Sequence, residues 1–330
     1  MSKFDVCGLG NAVVDIFLEL DEPQFEQLGF ERGTMTLVEK DEQQSLLTNF
    51  HESEQTLQLV SGGSVANSII AATQLGGSAS FIGCVGDDRY GQHYADEFEE
   101  LRIAFPNRPL ADETTGTCLA LITPDAERTM RTCLAVSSNL AEAHVDEDCI
   151  ANSKWLFIEG YVFANPETGQ HAIRKAIQVA KQNGTKIALT CSDGFIPEVF
   201  GDAFRGALAD SDLLFCNATE SVALTQAEDS KAAFEKLKGM VPSAVVTDGP
   251  NGAFVRFGDE SFHVPAIACE PKDLTGAGDM FAGSFLYAIN HGYSAEQAAR
   301  NANFMCHKVI TQVGARLAAD AKSLWESAQA

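Results

Sequence analysis

The heptapeptide DLTGAGD (273–279) runs directly into the apolar stretch MFAGSFLYAIN (280–290). Small residues in such a turn leave the backbone N–H groups accessible, and the apolar stretch predicts a buried helix that begins at the turn. The first N–H groups of a helix have no partner within it, and the helix dipole is positive at that end. The sequence therefore predicts an anion-binding site formed by the backbone of Gly276, Ala277 and Gly278.

The acid that ends this turn, Asp279, has two interpretations. An Asp at a helix start commonly caps the helix. A cap does not need the preceding Gly-Ala-Gly, so the combination favours a catalytic role. A carboxylate beside a bound phosphate can accept the proton of a hydroxyl group while the phosphoryl group moves onto that oxygen. We therefore expect Asp279 to be the general base of a phosphotransferase.

Short apolar runs alternate with helical stretches along most of the chain. WLFIEG (155–160) and SAVVTDG (243–249) end in polar residues or glycine, and stretches such as 167–184 have helical periodicity. This alternation predicts an α/β fold, in which a doubly wound, mostly parallel sheet lies between two layers of helices.

Two segments, 16–39 and 114–135, interrupt this alternation and are rich in β-branched and alternating residues. The second predicts a hairpin around PDAE (124–127). We expect the two segments to pair as a small antiparallel sheet. Residues 1–15, 40–113 and 136–330 would form the core.

The composition excludes several classes of function. The 330 residues carry 46 Asp+Glu against 23 Lys+Arg, a net charge of −23, which would repel nucleic-acid phosphates and anionic membranes. No apolar stretch approaches the ~18 residues of a membrane span, and the N-terminus lacks the pattern of a signal peptide. Nine cysteines without a CxxC pair favour reduced thiols over a disulfide framework or a zinc cluster. We expect a cytoplasmic enzyme with a small-molecule substrate, as a monomer or homodimer.

Other nucleotide-binding motifs do not match. GLG (8–10) lacks the third glycine of a dinucleotide fingerprint, and Asp15 follows too soon to be the ribose-binding acid. GxxxxGK[ST], the motif of P-loop kinases, does not occur.

The signature at 273–279 resembles the C-terminal signature of the PfkB/ribokinase family of carbohydrate kinases. Other motifs follow the order of that family along nearly the whole chain. They are GLGNAVVD (8–15), SGGSVANS (61–68), GCVGDDRYG (83–91), NATE (217–220) and TDGPNG (247–252). The resemblance implies a ribokinase-like three-layer fold in which the small sheet, 16–39 and 114–135, is a lid over the acceptor site.

The same resemblance implies residues for the sugar part of a substrate. Amides and a carboxylate suit this task, because each can bridge neighbouring hydroxyl groups. A solvated strand-end acid or a helix-surface amide is the alternative interpretation. The implied residues are Asn11, Asp15, Gly63 and Asn67.

Several segments resemble adenosine kinases more than sugar kinases: TTGTC (114–118), EGYVF (159–163), TCSDGFI (190–196) and FCNATES (215–221). In that group, Tyr161 and Phe195 would stack on a nucleobase, and Val13 and Cys118 would form the apolar edge of its pocket. Ordinary core packing is the alternative for these four residues.

The resemblance also implies the cofactors ATP and Mg²⁺. Asn217 would lie near the phosphates, and Glu220 would bind Mg²⁺ through water; Asn followed by Glu three residues later is also a common helix cap. Thr247, Gly249 and Gly252 would approach ATP, although a plain turn explains them equally well, and Asn303 is a candidate for the adenine site. Asp273 and Thr275 would hold a monovalent cation such as K⁺.

These observations predict an ATP-dependent kinase that phosphorylates the 5′-hydroxyl of a nucleoside, adenosine first. The alternatives are a sugar kinase for ribose or fructose and a non-catalytic ligand-binding relative.

Overall fold

The computed structural model describes residues 3–52, 58–125 and 127–328. In these ranges the strands are β1 (Phe4–Leu9), β2 (Val13–Glu19), β3 (Met35–Leu37), β4 (Gln58–Gly62), β5 (Ala79–Ile82), β6 (Gly116–Ile122), β7 (Arg128–Cys133), β8 (Ser153–Ile158), β9 (Lys186–Thr190), β10 (Leu213–Asn217), β11 (Ser243–Thr247), β12 (Ala253–Phe257) and β13 (Glu260–Val264).

The α-helices of the same ranges are α1 (Glu22–Leu28), α2 (Lys40–Glu52), α3 (Ser64–Gln74), α4 (Arg89–Glu100), α5 (Glu147–Ala151), α6 (Gly169–Asn183), α7 (Phe195–Val199), α8 (Gly201–Ala209), α9 (Ala218–Thr225), α10 (Ser230–Leu237), α11 (Ala277–Asn290), α12 (Ala295–Ile310) and α13 (Ala321–Ser327). Short 3₁₀ helices lie at Ala135–Asn139, Glu142–His144, Gly160–Ala164 and Gly249–Asn251.

In the described ranges, one large sheet has eight strands in the order β13-β12-β11-β10-β9-β8-β1-β5. Neighbouring strands from β11 to β5 run parallel, while β12 and β13 are antiparallel additions at one edge. The predicted mostly parallel sheet is confirmed. The carboxyl ends of the parallel strands share one edge, which is where such folds bind ligands.

Helices cover both faces of this sheet because successive side chains of a strand point to opposite sides. On β8, Trp155 and Phe157 lie in one buried cluster, together with residues of α3, α11 and α12. Leu156 and Ile158 lie in a second buried cluster with residues of α6 and α8. Burying a side chain of this size contributes roughly 1.5–3 kcal/mol, so the two clusters hold the three layers together.

A smaller sheet has the order β3-β7-β6-β2-β4 in the described part of the chain. Strands β6 and β7 form the predicted hairpin, whose residue Ala126 lies outside the described residues. The expectation of an antiparallel sheet is wrong, because β2 pairs with β6 and β3 with β7 in parallel. These partners are not joined by hairpins: long segments separate them, which lets them run in the same direction.

This small sheet also extends beyond the segments expected to form it. Strand β4 and the first residues of β2 belong to it, although residues 13–15 and 58–62 fall in the predicted core. Strand β4 pairs with β2 and leads directly into α3, so it links the small sheet to the core.

None of the helices in the described ranges is long and apolar enough to span a membrane.

Candidate active site

The predicted anion site is a sharp turn at the start of α11. Gly276 precedes the helix with φ 76, a left-handed conformation, and a Cβ on it would stand 2.6 Å from the Cβ of Ala315. Only glycine satisfies both conditions without strain. Around a Cβ added to Gly278, in contrast, nothing lies within 4 Å, so this part of the turn faces open space. The N–H of Ala277 makes a long contact of 3.3 Å with the Leu274 carbonyl.

Asp279 lies in the first turn of α11 and is joined to α3 by two hydrogen bonds. Ser64 Oγ donates to Oδ1 at 2.7 Å, and Asn67 Nδ2 donates to Oδ2 at 3.2 Å. Burial raises the pKa of Asp279 to about 6, and the two hydrogen bonds oppose this rise. The carboxylate is therefore largely ionised at neutral pH and can accept a proton. The sequence analysis missed Ser64, although its place directly after two glycines at a helix start was a usable signal.

The glycine pair before α3 allows this close approach. A Cβ on Gly63, whose φ is 111, would stand 2.1 Å from the carbonyl oxygen of Asn11. A Cβ on Gly62 would stand 2.7 Å from Oδ2 of Asp15. The pair therefore brings the start of α3 against the two polar residues expected to bind a sugar.

Asp15 lies on β2, opposite Cys118 of the parallel strand β6. Burial raises the pKa of Asp15 to about 6, and the positive charges of Arg316 and Arg128 oppose the rise. Burial also raises the pKa of Cys118 to about 12, so its thiol stays protonated. A cavity of about 740 Å³ has Asp15 and Asn67 in its wall.

Glu159, which the sequence analysis did not single out, connects these segments. Asn11 Nδ2 donates to its Oε1 at 3.0 Å, and the backbone N–H of Val65 donates to its Oε2 at 3.1 Å. Burial raises the pKa of Glu159 to about 7 in spite of both bonds. A Cβ on Gly10 would stand 2.5 Å from Oε2, so a glycine makes room for this carboxylate. An acid directly after a buried strand was the signal for it.

Tyr161 and Phe195 contact each other, with ring centroids 6.3 Å apart and planes inclined by 37°. Phe195 is 40% exposed, and Tyr161 is half-buried. Val13 shares the face of β2 with Asp15, because it lies two residues earlier. The described wall of the 740 Å³ cavity includes Asp15 and Asn67 but not the two rings. The structure thus pairs the rings without placing them in that wall.

The predicted anion site at 276–278, called the phosphate cradle below, lines a cavity of about 280 Å³. Asn217, Glu220 and Thr247 line the same cavity. Asn217 caps α9, and its backbone N–H and Nδ2 donate to the Glu220 carboxylate at 2.9 and 2.8 Å. The capping interpretation is therefore correct, and it leaves the carboxylate in the wall of the cavity. Burial raises the pKa of Glu220 to about 7, and the negative charges of Asp193 and Asp279 act in the same direction.

This environment fits a magnesium ion held mainly by phosphate and water. The negative charges of Asp193 and Asp279 near Glu220 favour a bound cation, which would stabilise the ionised carboxylate. Among the residues that the structure describes, no group of three or more His, Cys, Asp and Glu side chains could hold a metal by itself. Mg²⁺ commonly needs only one or two carboxylates besides phosphate oxygens and water.

A third cavity, of about 510 Å³, shares Thr247, Ala277 and Gly278 with the 280 Å³ cavity. Its wall is mostly apolar and includes Gly249, Gly252 and Asn303. Asn303 Nδ2 donates to the Pro265 carbonyl at 3.0 Å, so the side chain also supports the backbone beside the cavity. An apolar cavity next to an anion cradle suits the nucleoside part of a nucleotide.

The first acid of the signature, Asp273, is already surrounded by donors. Its Oδ1 accepts the N–H of Thr275 at 3.0 Å, and its Oδ2 accepts the N–H of Gly314 at 2.7 Å. Arg128 Nη1 of the small sheet lies 2.8 Å from the same Oδ2.

The carboxyl ends of β9, β10 and β11, the N-terminus of α11 and the carboxylate of Asp279 meet at one cavity, an arrangement that suits an α/β phosphotransferase with a hydroxyl acceptor. The model of the pfkB family carbohydrate kinases matches residues 34–322. The chain belongs to this family.

Individual relatives cover almost the whole chain. It is 32% identical to an adenosine kinase from Sinorhizobium meliloti of known crystal structure, covering 99% of this chain and 100% of that one, with a TM-score of 0.86. It is 26% identical to the adenosine kinase of Saccharomyces cerevisiae, over 93% of this chain and 94% of the relative. It is also 27% identical to the ribokinase of Haemophilus influenzae, over 79% and 85% of the two chains.

Proposed function

We propose that this kinase transfers the γ-phosphoryl group of ATP to the 5′-hydroxyl of adenosine or a close nucleoside. One observation carries the proposal: Asp279 at the phosphate cradle is hydrogen-bonded to Ser64 and Asn67 of the sugar-side helix. The base therefore stands where the two halves of the site meet. The similarity to adenosine kinases supports a nucleoside as the acceptor.

In the proposed reaction, Asp279 accepts the proton of the 5′-hydroxyl as that oxygen bonds to the γ-phosphorus, and the bond from this phosphorus to the departing ADP oxygen breaks. The backbone N–H groups of Gly276, Ala277 and Gly278 stabilise the negative charge of the phosphoryl group during transfer. When bound, ATP supplies the phosphoryl group and Mg²⁺ neutralises part of the phosphate charge. Glu220 would hold Mg²⁺ through water, beside Asn217. The ATP contacts would be made by Thr247, Gly249, Gly252 and Asn303.

On the acceptor side, polar and apolar residues have separate tasks. Asn11, Asp15, Gly63 and Asn67 would bind the ribose, with Glu159 orienting the Asn11 amide through the bond at 3.0 Å. Tyr161 and Phe195 would stack on the base, and Val13 and Cys118 would border it. The small sheet would close over this acceptor and exclude water, which competes with the hydroxyl group for the phosphoryl group. The cytoplasmic location remains a prediction.

A sugar kinase is the second candidate. Asp15 and Asn67 line the 740 Å³ cavity without the Tyr161–Phe195 pair, as expected for a polar acceptor that needs no stacking. The similarity to a ribokinase agrees with this alternative.

The test is product identification after incubation with ATP, Mg²⁺ and one acceptor at a time. We expect adenosine to yield a 5′-monophosphate, located by the phosphorus–proton coupling in NMR spectra. Phosphorylation of ribose or fructose with adenosine unchanged would identify a sugar kinase. Binding without transfer to any acceptor would identify a non-catalytic relative.

A further inference from the structure

The residues expected to hold a monovalent cation, Asp273 and Thr275, do not fit that task in this chain. A carboxylate has about four lone-pair positions. Asp273 Oδ1 accepts the Thr275 N–H at 3.0 Å, and Oδ2 has both the Gly314 N–H at 2.7 Å and Arg128 Nη1 at 2.8 Å. The charge that a bound K⁺ would balance is therefore already balanced by a guanidinium of the protein.

The ion pair between Arg128 and Asp273 is largely shielded from water. The two side chains are 12% and 9% exposed. The guanidinium also lies over the ring of Phe17, 5.4 Å from its centroid, so two strands of the small sheet hold it in place. Exposed ion pairs contribute little, but breaking a shielded pair leaves an uncompensated buried charge, which is strongly unfavourable.

We propose that Arg128 is the built-in cation of the signature turn: its guanidinium neutralises Asp273 and makes phosphoryl transfer independent of K⁺. Arg128 acts as a positioning residue, through Asp273, whose carboxylate ties the turn at Thr275 to the chain at Gly314. An arginine suits the role because it stays charged at any physiological pH.

The arrangement also links the two sheets. Arg128 begins β7 of the small sheet, whereas Asp273 belongs to the turn that leads into α11. The charge on the signature turn is thus balanced only while the small sheet lies against the core. The inference rests on the phosphotransferase activity of the chain and not on adenosine as its acceptor.

The first experiment compares the rate of the wild-type protein in chloride salts of K⁺, Na⁺ and tetramethylammonium at equal ionic strength, with whichever acceptor is turned over. We expect the three rates to agree within about twofold. In Arg128→Gln we expect a loss of about tenfold in kcat in tetramethylammonium, and recovery of most of it in K⁺, because the small ion enters the position that the guanidinium has left.

Two variants control for charge and for general effects on the small sheet. Arg128→Lys keeps the positive charge and should stay insensitive to the choice of salt. Arg32→Gln removes an arginine from the turn before β3, where it pairs with Glu22 and Asp125 at the surface, and should behave like the wild type. Strong activation of the wild type by K⁺, equal to that of Arg128→Gln, would overturn the proposal.

Thermal unfolding gives a readout that needs no substrate. Arg128→Gln should unfold at a lower temperature than the wild type, and K⁺ should raise that temperature relative to tetramethylammonium only in the variant. If Arg128→Gln is too unstable to assay, the double variant Arg128→Gln/Asp273→Asn should regain stability, because no buried charge remains unpaired. A double variant no more stable than Arg128→Gln would show that the pair has no such role. Because no acceptor is present, this result stands even if the proposed acceptor is wrong.

Discussion

The proposed phosphate half and the proposed acceptor half of the site are built differently. The phosphate half is one contiguous turn, 273–279, whose donors are backbone N–H groups at the start of α11. The acceptor half is assembled from side chains of distant segments, among them Asn11, Asp15 and Asn67. A backbone cradle binds the same group whatever the acceptor, whereas the side chains opposite it decide which acceptor fits. Chemistry and specificity should therefore respond to different substitutions.

Asp279 belongs to both halves, so its replacement should have the largest effect. Asp279→Asn keeps the size of the side chain and removes the proton acceptor. We expect kcat to fall by at least ~100-fold for every acceptor, with ATP binding retained. Ser64→Ala is the matched control, because it removes one hydrogen bond to Asp279 and leaves the base in place. Steady-state kinetics with two acceptors measures both, and near wild-type turnover of Asp279→Asn would refute the assignment.

The two outer glycines of the cradle should separate chemistry from folding. Gly278→Val places its side chain in open space at the cleft, so the protein should fold and bind its acceptor while kcat falls by about 100-fold or more. In Gly276→Val, the new Cβ would stand 2.6 Å from the Cβ of Ala315, and residue 276 has a φ of 76 that valine does not readily adopt. This variant should therefore lower the free energy of unfolding. Three measurements on both variants separate the two effects: acceptor binding by calorimetry, turnover, and chemical unfolding. Lost acceptor binding with normal transfer in Gly278→Val would contradict this placement.

The pH dependence of the rate should contrast with that of stability. Because burial raises the pKa of Asp279 to about 6, kcat/KM should fall as the pH drops below about 6 and the base becomes protonated. Stability should change in the opposite direction. A carboxyl group whose folded pKa lies above its usual value of about 3.9 contributes stability at low pH that is lost as the pH rises through the folded value.

For Asp279 we expect a loss of roughly 1–2 kcal/mol between about pH 4 and 6, allowing for water in the cleft. Glu159 and Glu220, with pKa values raised to about 7, should extend the decline to about pH 7. Chemical unfolding at several pH values between about 4 and 7 measures this decline in the free energy of unfolding. In Asp279→Asn the decline should be shallower. An equal slope in the variant and the wild type would show that Asp279 is not the group responsible.

The difference between the halves also explains what sequence reasoning could predict. The turn at 273–279 and the position of Asp279 in the first turn of α11 were predictable from one contiguous motif, because a glycine-rich turn and a helix start are local properties. Alternation of apolar runs predicted the large sheet in the same way. The mixed pairing of the small sheet could not be found, because the parallel partners β2 and β6 are set by contacts between distant segments. Glu159 had a local signal, its place directly after a buried strand, but its contact with Asn11, 148 residues away in sequence, could not be predicted.

The most direct test of the proposed function is kcat/KM for adenosine, guanosine, ribose and fructose under one set of conditions, in the wild type and in Tyr161→Ala. Stacking on a base is worth ~1–3 kcal/mol, so we expect adenosine to exceed free ribose by roughly 10- to 100-fold or more. Tyr161→Ala should reduce that ratio, and Tyr161→Phe, which keeps the ring, should preserve it. A free sugar with the highest kcat/KM would contradict the account and identify Tyr161 and Phe195 as packing residues of a sugar kinase.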